Sequence, residues 1–154
     1  MNNSCKLLSA TVTLKKEGAP NDYYLSARHE LISNVLLGDK KSVMVTFGLY
    51  ARPGVPIGIY ASVTPKEKEP PLGSTKYTES FYTTLKSEAV DDGMGVFLMT
   101  LEVKDIPFEH DGLYEANVRV FPTDAMPSKD NQLDSIQCFF YVLTSKRDQH
   151  ATNS

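Results

Sequence analysis

His110 stands out among the three histidines of this 154-residue sequence because acidic residues flank it on both sides. Together with Glu109 and Asp111 it could bind a cation or act in acid–base chemistry. However, neighbouring side chains on an extended chain point in different directions and converge poorly on one ion. The tripeptide is therefore better interpreted as a solvated turn.

His29 also has a plainer explanation than catalysis. It lies at an alternate position with Leu25, Ala27 and Leu31, and therefore on the same face of a strand. This predicts a hydrogen-bonded histidine at the edge of a core. The third histidine lies in the polar C-terminal tail. An enzyme that depends on His29 or His110 therefore ranks third among the functions considered.

The two cysteines, Cys5 and Cys138, lie near opposite ends of the chain and have no CxxC spacing. Two thiols do not complete a four-ligand metal site, and free thiols are the default in a reducing compartment. A disulfide between them is an alternative if the first and last strands are neighbours.

No other motif indicates catalysis or a cofactor. The sequence contains neither GxSxG nor a phosphate-binding loop. Asp91 and Asp92 precede Gly93, but the spaced oxygen ligands and terminal Glu of a calcium loop are missing, so a hairpin turn is predicted. We therefore expect no enzyme, no cofactor and no bound metal.

The overall charge argues against nucleic acid as a partner. Sixteen basic and nineteen acidic residues give a net charge of −3, whereas binding to a phosphate backbone requires a concentrated positive patch. The pairs Lys15–Lys16 and Lys40–Lys41 are isolated, and we interpret them as solvated charges in turns.

The sequence also predicts no membrane segment. No stretch approaches the roughly 18 continuous apolar residues that a membrane helix needs. The N-terminal residues 1–16 have no basic head followed by an apolar run and a cleavage site. If the chain starts where its gene starts, we expect a cytoplasmic protein.

The elements that would position any site are strands, because apolar residues recur with a period of two. In the first strand, Leu8, Ala10, Val12 and Leu14 are predicted to share one face. Gly38 and Asp39 predict the turn of a hairpin within 36–51. The segments with strand character are 8–14, 23–32, 36–51, 57–63, 77–88, 95–103, 112–121 and 136–144.

This pattern predicts an all-β fold of about eight antiparallel strands, arranged as a Greek-key sandwich. A jelly roll is the alternative topology. We expect residues 1–144 to form a single domain and residues 145–154 to form a disordered tail.

The segment 109–121 (EHDGLYEANVRVF) predicts a structural corner. Gly112 allows a tight bend because it has no Cβ. Tyr114 can bury its ring while its hydroxyl bonds the backbone of the incoming connection, as in the tyrosine corner of Greek-key sandwiches. Glu115 and Asn117 are predicted to lie on the opposite, solvent-facing side.

This motif resembles the penultimate strand of immunoglobulin-like domains. Gly112 and Tyr114 fit the pattern, but His110 stands at the Asp position and Ala116 at the position of the second core cysteine. The resemblance implies an immunoglobulin-like sandwich without its disulfide or core tryptophan, and no antibody or receptor relationship. The chain is also loosely similar to small uncharacterised bacterial proteins, a likeness that implies no activity.

The last strand is apolar on both faces, which is unusual for a half-exposed strand. If segments 112–121 and 136–144 pair, an apolar patch forms on the outer side, and large exposed patches generally mark interfaces. Cover by loop 64–76 or 122–134 is the alternative. The predicted contact residues are Phe121, Phe139, Tyr141 and Leu143.

We therefore expect a non-enzymatic binding or assembly module whose partner is another protein or a second copy of itself. The alternative is a domain that binds a small ligand or carbohydrate through its end loops. The tyrosines predicted to provide stacking surfaces in that case are Tyr23, Tyr24, Tyr60 and Tyr77. The absence of tryptophan counts against carbohydrate.

Overall fold

Two four-stranded β-sheets pack face to face in the computed structural model, which describes residues 5–66, 82–123 and 128–145. The predicted all-β sandwich is confirmed, while the predicted tail lies almost entirely outside the described residues. The strands are β1 (Cys5–Leu14), β2 (Leu31–Ile32), β3 (Lys40–Ala51), β4 (Ile57–Pro65), β5 (Tyr82–Ala89), β6 (Gly95–Pro107), β7 (Gly112–Pro122) and β8 (Asp134–Val142). Short 3₁₀ turns occupy Asn21–Leu25 and Asp91–Gly93.

Sheet A has the strand order β1-β3-β6-β5, and sheet B has the order β2-β8-β7-β4. All pairings are antiparallel except that of β2 with β8. The connections β3–β4, β4–β5 and β6–β7 join strands of different sheets, whereas β5–β6 and β7–β8 are neighbours within a sheet. β7 and β8 pair from Gly112 opposite Val142 to Val120 opposite Asp134.

The core lies between the sheets and follows from the period-two pattern. On β3, the alternate residues Val43, Val45, Phe47 and Leu49 are all buried. The matching row of β6 lies beside them in sheet A, the matching row of β4 faces them from sheet B, and both rows belong to the same apolar cluster. Because alternate residues point to opposite faces, the register of each strand determines which side chains remain outside.

The first strand departs from strict alternation. The pairing of β1 with β3 shifts register between Leu7 and Ser9, which leaves Leu8 as an extra residue. Leu7 is consequently 3% exposed and Leu8 49% exposed. The prediction that Leu8 faces the core is wrong, because a β-bulge reverses the parity of the residues before it.

The predicted strand over 23–32 is largely wrong. A 3₁₀ turn occupies its beginning, and only Leu31–Ile32 form a strand. Local hydrogen bonds explain the difference: the Tyr24 hydroxyl accepts from the Lys16 amide at 3.1 Å, and the Ala27 amide donates to the Tyr23 carbonyl at 3.2 Å. Tyr24 is buried, so tertiary packing of its ring overrides the local strand pattern.

The predicted hairpin at Gly38 and Asp39 is also wrong. Leu36 forms a parallel bridge with Ser145 rather than pairing with β3. The Gly38 amide donates to the Phe108 carbonyl at 2.8 Å, and Gly38 has a φ of 89°, a conformation that favours glycine. This turn therefore carries the chain from the edge of sheet B into sheet A.

None of the helical segments in the described part of the chain has the length and apolar character needed to cross a bilayer.

Candidate functional site

The outward side of sheet B carries a group of exposed apolar residues that we call the outer patch. Tyr141 lies at its centre, opposite Leu31 on β2 and opposite Leu113 on β7. Phe139 and Leu143 lie two positions away on either side along the chain. The exposed fraction of these side chains ranges from 42% to 55%. The outer patch consists of Leu31, Leu113, Phe139, Tyr141 and Leu143.

The corner at the start of β7 fixes the orientation of the outer patch. The buried Tyr114 donates its hydroxyl proton to the His110 carbonyl at 3.0 Å, and its ring stacks on Phe140 with centroids 5.7 Å apart. Phe108 contacts the same ring at 5.6 Å. Gly112 has a φ of 132°, which only glycine adopts without strain. This is the geometry expected from the sequence, and it directs Leu113 outward.

Phe121 does not belong to the outer patch, which corrects the predicted set of contact residues. It is 1% exposed and packs edge-to-face against Tyr60, with ring centroids 5.6 Å apart. Phe121 pairs with Gly58, and the Tyr60 ring occupies the space that a Cβ on Gly58 would meet. Phe121 was predicted to be exposed. Because Gly58 on β4 has no side chain, the rings of Phe121 and Tyr60 can instead pack against each other.

A buried polar group borders the outer patch. Glu115, which lies opposite Phe139, accepts hydrogen bonds at Oε2 from Asn117 Nδ2 and Gln137 Nε2, both at 2.7 Å. Glu115 and Asn117 are buried, so the prediction that this side of β7 faces solvent is wrong for them. Two amide donors stabilise the carboxylate in place of water. The sequence offers no signal for this network, because its members only become neighbours through the β7–β8 register.

The same face contains a further buried polar side chain that sequence analysis missed. Ser62 lies opposite Asn117 on β4 and is 3% exposed. Its Oγ has no hydrogen-bond partner among the described residues. The band next to the outer patch is therefore polar and buried.

The two histidines in the described part of the chain, His29 and His110, have structural surroundings. His29 Nδ1 accepts a hydrogen bond from the Leu14 amide at 3.0 Å, which leaves its ring proton on Nε2. The His29 amide also donates to the Val12 carbonyl at 2.7 Å, so the predicted hydrogen-bonded position at the core edge is confirmed. His110 is exposed, and its backbone carbonyl serves the tyrosine corner.

Neither cysteine has the features of a nucleophile. Both are free, so the alternative of a Cys5–Cys138 disulfide is not realised. Burial raises the pKa of the Cys138 thiol to about 11, and burial together with the nearby Asp134 carboxylate raises the pKa of Cys5. Because the thiolate is the reactive form, both thiols are poorly reactive at neutral pH.

The described residues contain no group of three or more His, Cys, Asp or Glu side chains that could hold a metal ion. The Asp91–Gly93 segment forms a 3₁₀ turn between β5 and β6, which pair as antiparallel neighbours. The prediction of a hairpin turn at this position is confirmed.

A cavity of about 350 Å³ lies over the outer side of sheet A. Tyr24, Met44 and Thr100 contribute to its lining, and Lys15 and Glu102 join at its margin through an ion pair of 3.2 Å. The hydrogen bond to Glu102 raises the pKa of Lys15. The lining of the cavity thus combines two lysines and two glutamates, which balance in charge, with the apolar surfaces of Tyr24 and Met44.

The tyrosines predicted to stack on a ligand are mostly engaged within the chain. Tyr24 is buried and Tyr60 packs on Phe121. Tyr23 is half-buried, with Lys16 Nζ 5.2 Å from its ring centroid. Tyr77 lies outside the described residues.

No protein-family model matches this chain, and no curated protein is significantly similar to it.

Proposed function

We propose that this protein is a non-enzymatic binding or assembly module that associates with a second copy of itself through the outer patch. The observation that supports this most directly is the row Leu31–Tyr141–Leu113, in which three large apolar side chains stay exposed across three neighbouring strands. Contiguous apolar residues of this kind generally mark an interface, because burying them against a partner removes them from water.

The chemistry around the outer patch supports a second copy as the partner. None of its five residues is charged, so two copies can face each other without repulsion between like charges. The Glu115 carboxylate at its border is already satisfied by Asn117 and Gln137. A partner therefore meets an apolar surface beside a polar group whose hydrogen bonds are already made within the chain.

The strand order supports an immunoglobulin-like arrangement as part of the proposal. If β1 and β3–β8 are lettered A to G in sequence order, sheet A is A-B-E-D and sheet B contains C-F-G. This is the arrangement of immunoglobulin-like sandwiches with Greek-key connections, in which the tyrosine corner lies near the start of strand F. Tyr114 occupies that position on β7, while Ala116 takes the place of the cysteine.

Further features favour a non-enzymatic role in a reducing compartment such as the cytoplasm. The two free thiols are compatible with such a compartment. Among the described residues, the His29 ring accepts a hydrogen bond from the Leu14 amide and burial raises the pKa of both thiols, while the net charge of −3 does not favour nucleic acid. In this proposal, neither a cofactor nor a membrane takes part.

A small-ligand or carbohydrate-binding domain is the second candidate, and the cavity over sheet A favours it. Tyr23 is half-buried, and its ring packs edge-to-face at 5.0 Å against Tyr24, which lines this cavity. Screening the protein against a glycan array and a small-molecule library tests this candidate. Binding that is lost in Tyr23→Ala but kept in Tyr60→Ala would support it over self-association.

Sedimentation velocity tests the main proposal. We expect the wild-type protein to form dimers as its concentration rises, and Tyr141→Asp to prevent this because a charge enters the centre of the outer patch. Val90→Asp is the matched control, since Val90 is similarly exposed but lies at the β5–β6 turn. Circular dichroism verifies that both variants are folded. A wild-type protein that stays monomeric at high concentration would remove the proposal.

A further inference from the structure

The cavity over the outer side of sheet A lies on the face of the sandwich opposite the outer patch. Its floor is formed by outward side chains of two neighbouring strands, Met44 on β3 and Thr100 and Glu102 on β6. Residues 15–19 form its wall together with Tyr24. At about 350 Å³ the cavity lies at the small end of the range for ligand pockets. It therefore fits a small molecule rather than a polymer.

Hydrogen bonds within the chain hold the wall of this cavity in place. The Lys15 amide donates to the Ser42 carbonyl at 3.0 Å. The Lys16 amide donates to the hydroxyl of the buried Tyr24 at 3.1 Å, and the Ala19 amide donates to the Lys16 carbonyl at 3.2 Å. The wall is therefore ordered without a ligand, which lowers the conformational entropy that binding must remove.

The hydroxyl groups of the lining are already engaged within the chain. The Thr100 hydroxyl accepts from Thr46 Oγ1 at 3.2 Å and donates to the Val45 carbonyl at 3.4 Å. The Tyr24 hydroxyl is likewise bonded to the wall. Among the side chains of the lining, this leaves the Asn21 amide and the charged groups as those that can orient a ligand.

An ion pair between Lys15 and Glu102 supplies adjacent positive and negative charges in the lining. Lys15 Nζ lies 3.3 Å from Oε1 and 3.2 Å from Oε2 of Glu102. An ammonium can donate three hydrogen bonds and a carboxylate can accept about four, so both partners keep capacity for a ligand. Their side chains are 38% and 23% exposed, which leaves this capacity accessible while contact with water is reduced.

We propose that this cavity binds a free α-amino acid with an apolar side chain. In such a molecule a single carbon atom separates the ammonium from the carboxylate, so the ligand also presents adjacent opposite charges. When the ligand lies antiparallel to the ion pair, its carboxylate accepts from Lys15 Nζ and its ammonium donates to Glu102. Both contacts are charge-assisted hydrogen bonds, which are the strong ones. This inference goes beyond the proposed self-association and does not depend on it.

The rest of the lining favours this class of ligand. Tyr24 and Met44 provide apolar surface for the ligand's side chain. Lys16 and Glu17 add one positive and one negative charge, so the charges of the lining balance. For a ligand that carries only one charge, attraction to one member of the ion pair is offset by repulsion from the other. A zwitterion avoids this repulsion.

Isothermal titration calorimetry of the wild-type protein tests the class of ligand. The probes are the free amino acids L-leucine, L-methionine and L-phenylalanine. Two compounds have the side chain of leucine but only one of its charges: 4-methylpentanoate lacks the ammonium, and 3-methylbutylamine lacks the carboxylate. We expect at least one amino acid to bind, and each single-charge compound to bind at least about tenfold more weakly than that amino acid.

Substitutions in the ion pair test the residues that hold the ligand. Glu102→Gln and Lys15→Met each remove one charge and should weaken amino-acid binding at least about tenfold. Glu88→Gln and Lys104→Met are the matched controls, because these side chains are exposed on β5 and β6 and do not contribute to the described lining. Circular dichroism verifies folding. If a variant does not fold, the comparison of ligands on the wild-type protein still decides.

NMR chemical shifts locate the site and separate this inference from the proposed function. The amide signals of Lys15, Met44 and Glu102 should shift on titration, equally in wild type and in Tyr141→Asp, because the outer patch lies on sheet B. If amino acids bind in this way to a protein that never dimerises, the inference stands and the proposed function is overturned.

Three results would overturn the amino-acid site whatever the oligomeric state. The first is that none of the three amino acids binds. The second is that the single-charge compounds bind as well as the amino acids. The third is that signals shift only around the outer patch, which would mean that the ligand contacts exposed apolar side chains of sheet B.

Discussion

Phe139 and Phe140 are adjacent and chemically identical, yet they have opposite surroundings. Phe140 is 2% exposed and stacks on the ring of Tyr114, whereas Phe139 is 45% exposed on the outer side of the same strand. Their exposure differs because alternate residues of a strand point to opposite faces, and sheet A covers only one of those faces.

This comparison separates what stabilises the fold from what is available for binding. In the inner row of β8, Phe140 and Val142 are buried in the core shared by both sheets, and Ile136 and Cys138 pack against that core partly buried. The apolar area of the outer row stays exposed in the monomer and gains burial only with a partner. Substitutions on the two rows should therefore affect different measurements.

The largest expected effect is that of Phe140→Ala. Truncating a buried phenylalanine removes its packing and leaves a cavity, which typically lowers the free energy of unfolding by about 3–5 kcal/mol. Urea denaturation followed by circular dichroism measures it. Phe139→Ala is the matched control and should cost less than about 1 kcal/mol in dilute protein. Equal losses for the two variants would refute the distinction between the faces.

A smaller effect is expected in the pH dependence of the free energy of unfolding, and it comes from Cys138 on the inner row. Burial raises the pKa of Cys138 from its ordinary 9.0 to about 11. Below pH 9 the thiol is neutral in both states, so its contribution to stability is fully present. Between pH 9 and 11 the unfolded chain releases the proton first, and the free energy of unfolding should fall by up to about 2 kcal/mol.

Comparing wild type with Cys138→Ala isolates this contribution, because other groups also titrate in the same range. The difference in unfolding free energy between the two proteins should shrink as the pH rises from 9 to 11. A difference that stays constant would mean that the Cys138 thiol is not effectively buried.

The hydrogen bond of the Tyr114 hydroxyl, whose ring packs on Phe140 of the inner row, should contribute less to the free energy of unfolding. Tyr114→Phe keeps the ring between Phe108 and Phe140 but removes the hydroxyl that donates to His110. Because the His110 carbonyl lies in an exposed turn and can bond water instead, we expect a loss of about 1 kcal/mol of unfolding free energy. Tyr141→Phe, on the exposed row, is the control. A Tyr114→Phe variant as stable as wild type would show that the corner is held by its ring alone.

The features of the fold and of the outer patch that could be predicted from the sequence are those that follow from the alternation of apolar and polar residues within one strand. The sandwich and the exposed row of β8 follow from period-two patterns within single strands, and the buried Tyr114 follows from its spacing after Gly112. The reversal at Leu8 could not be predicted, because Leu7 and Leu8 are adjacent and both apolar, so the sequence does not show which of them faces the core.

The remaining errors arise from contacts between distant strands. Phe121 is buried because Gly58, more than sixty positions away, leaves room for the Tyr60 ring. Glu115 is buried because the register brings Gln137 beside it. Neither the register nor these partners can be derived from the residues of one strand. Which side chains of the outer face are exposed could therefore be determined only from the structure.

The smallest expected effect on monomer stability is that of Leu143→Thr. The Leu143 side chain is exposed, and its amide bond to the Ile32 carbonyl does not depend on the side chain. Replacing an exposed side chain usually changes the free energy of unfolding by less than about 0.5 kcal/mol. In dilute protein the variant should therefore unfold like wild type, while its dimerisation in sedimentation should be weaker because the outer patch loses apolar area. A loss above 1 kcal/mol in the dilute monomer would place Leu143 in the folding core and remove it from the proposed interface.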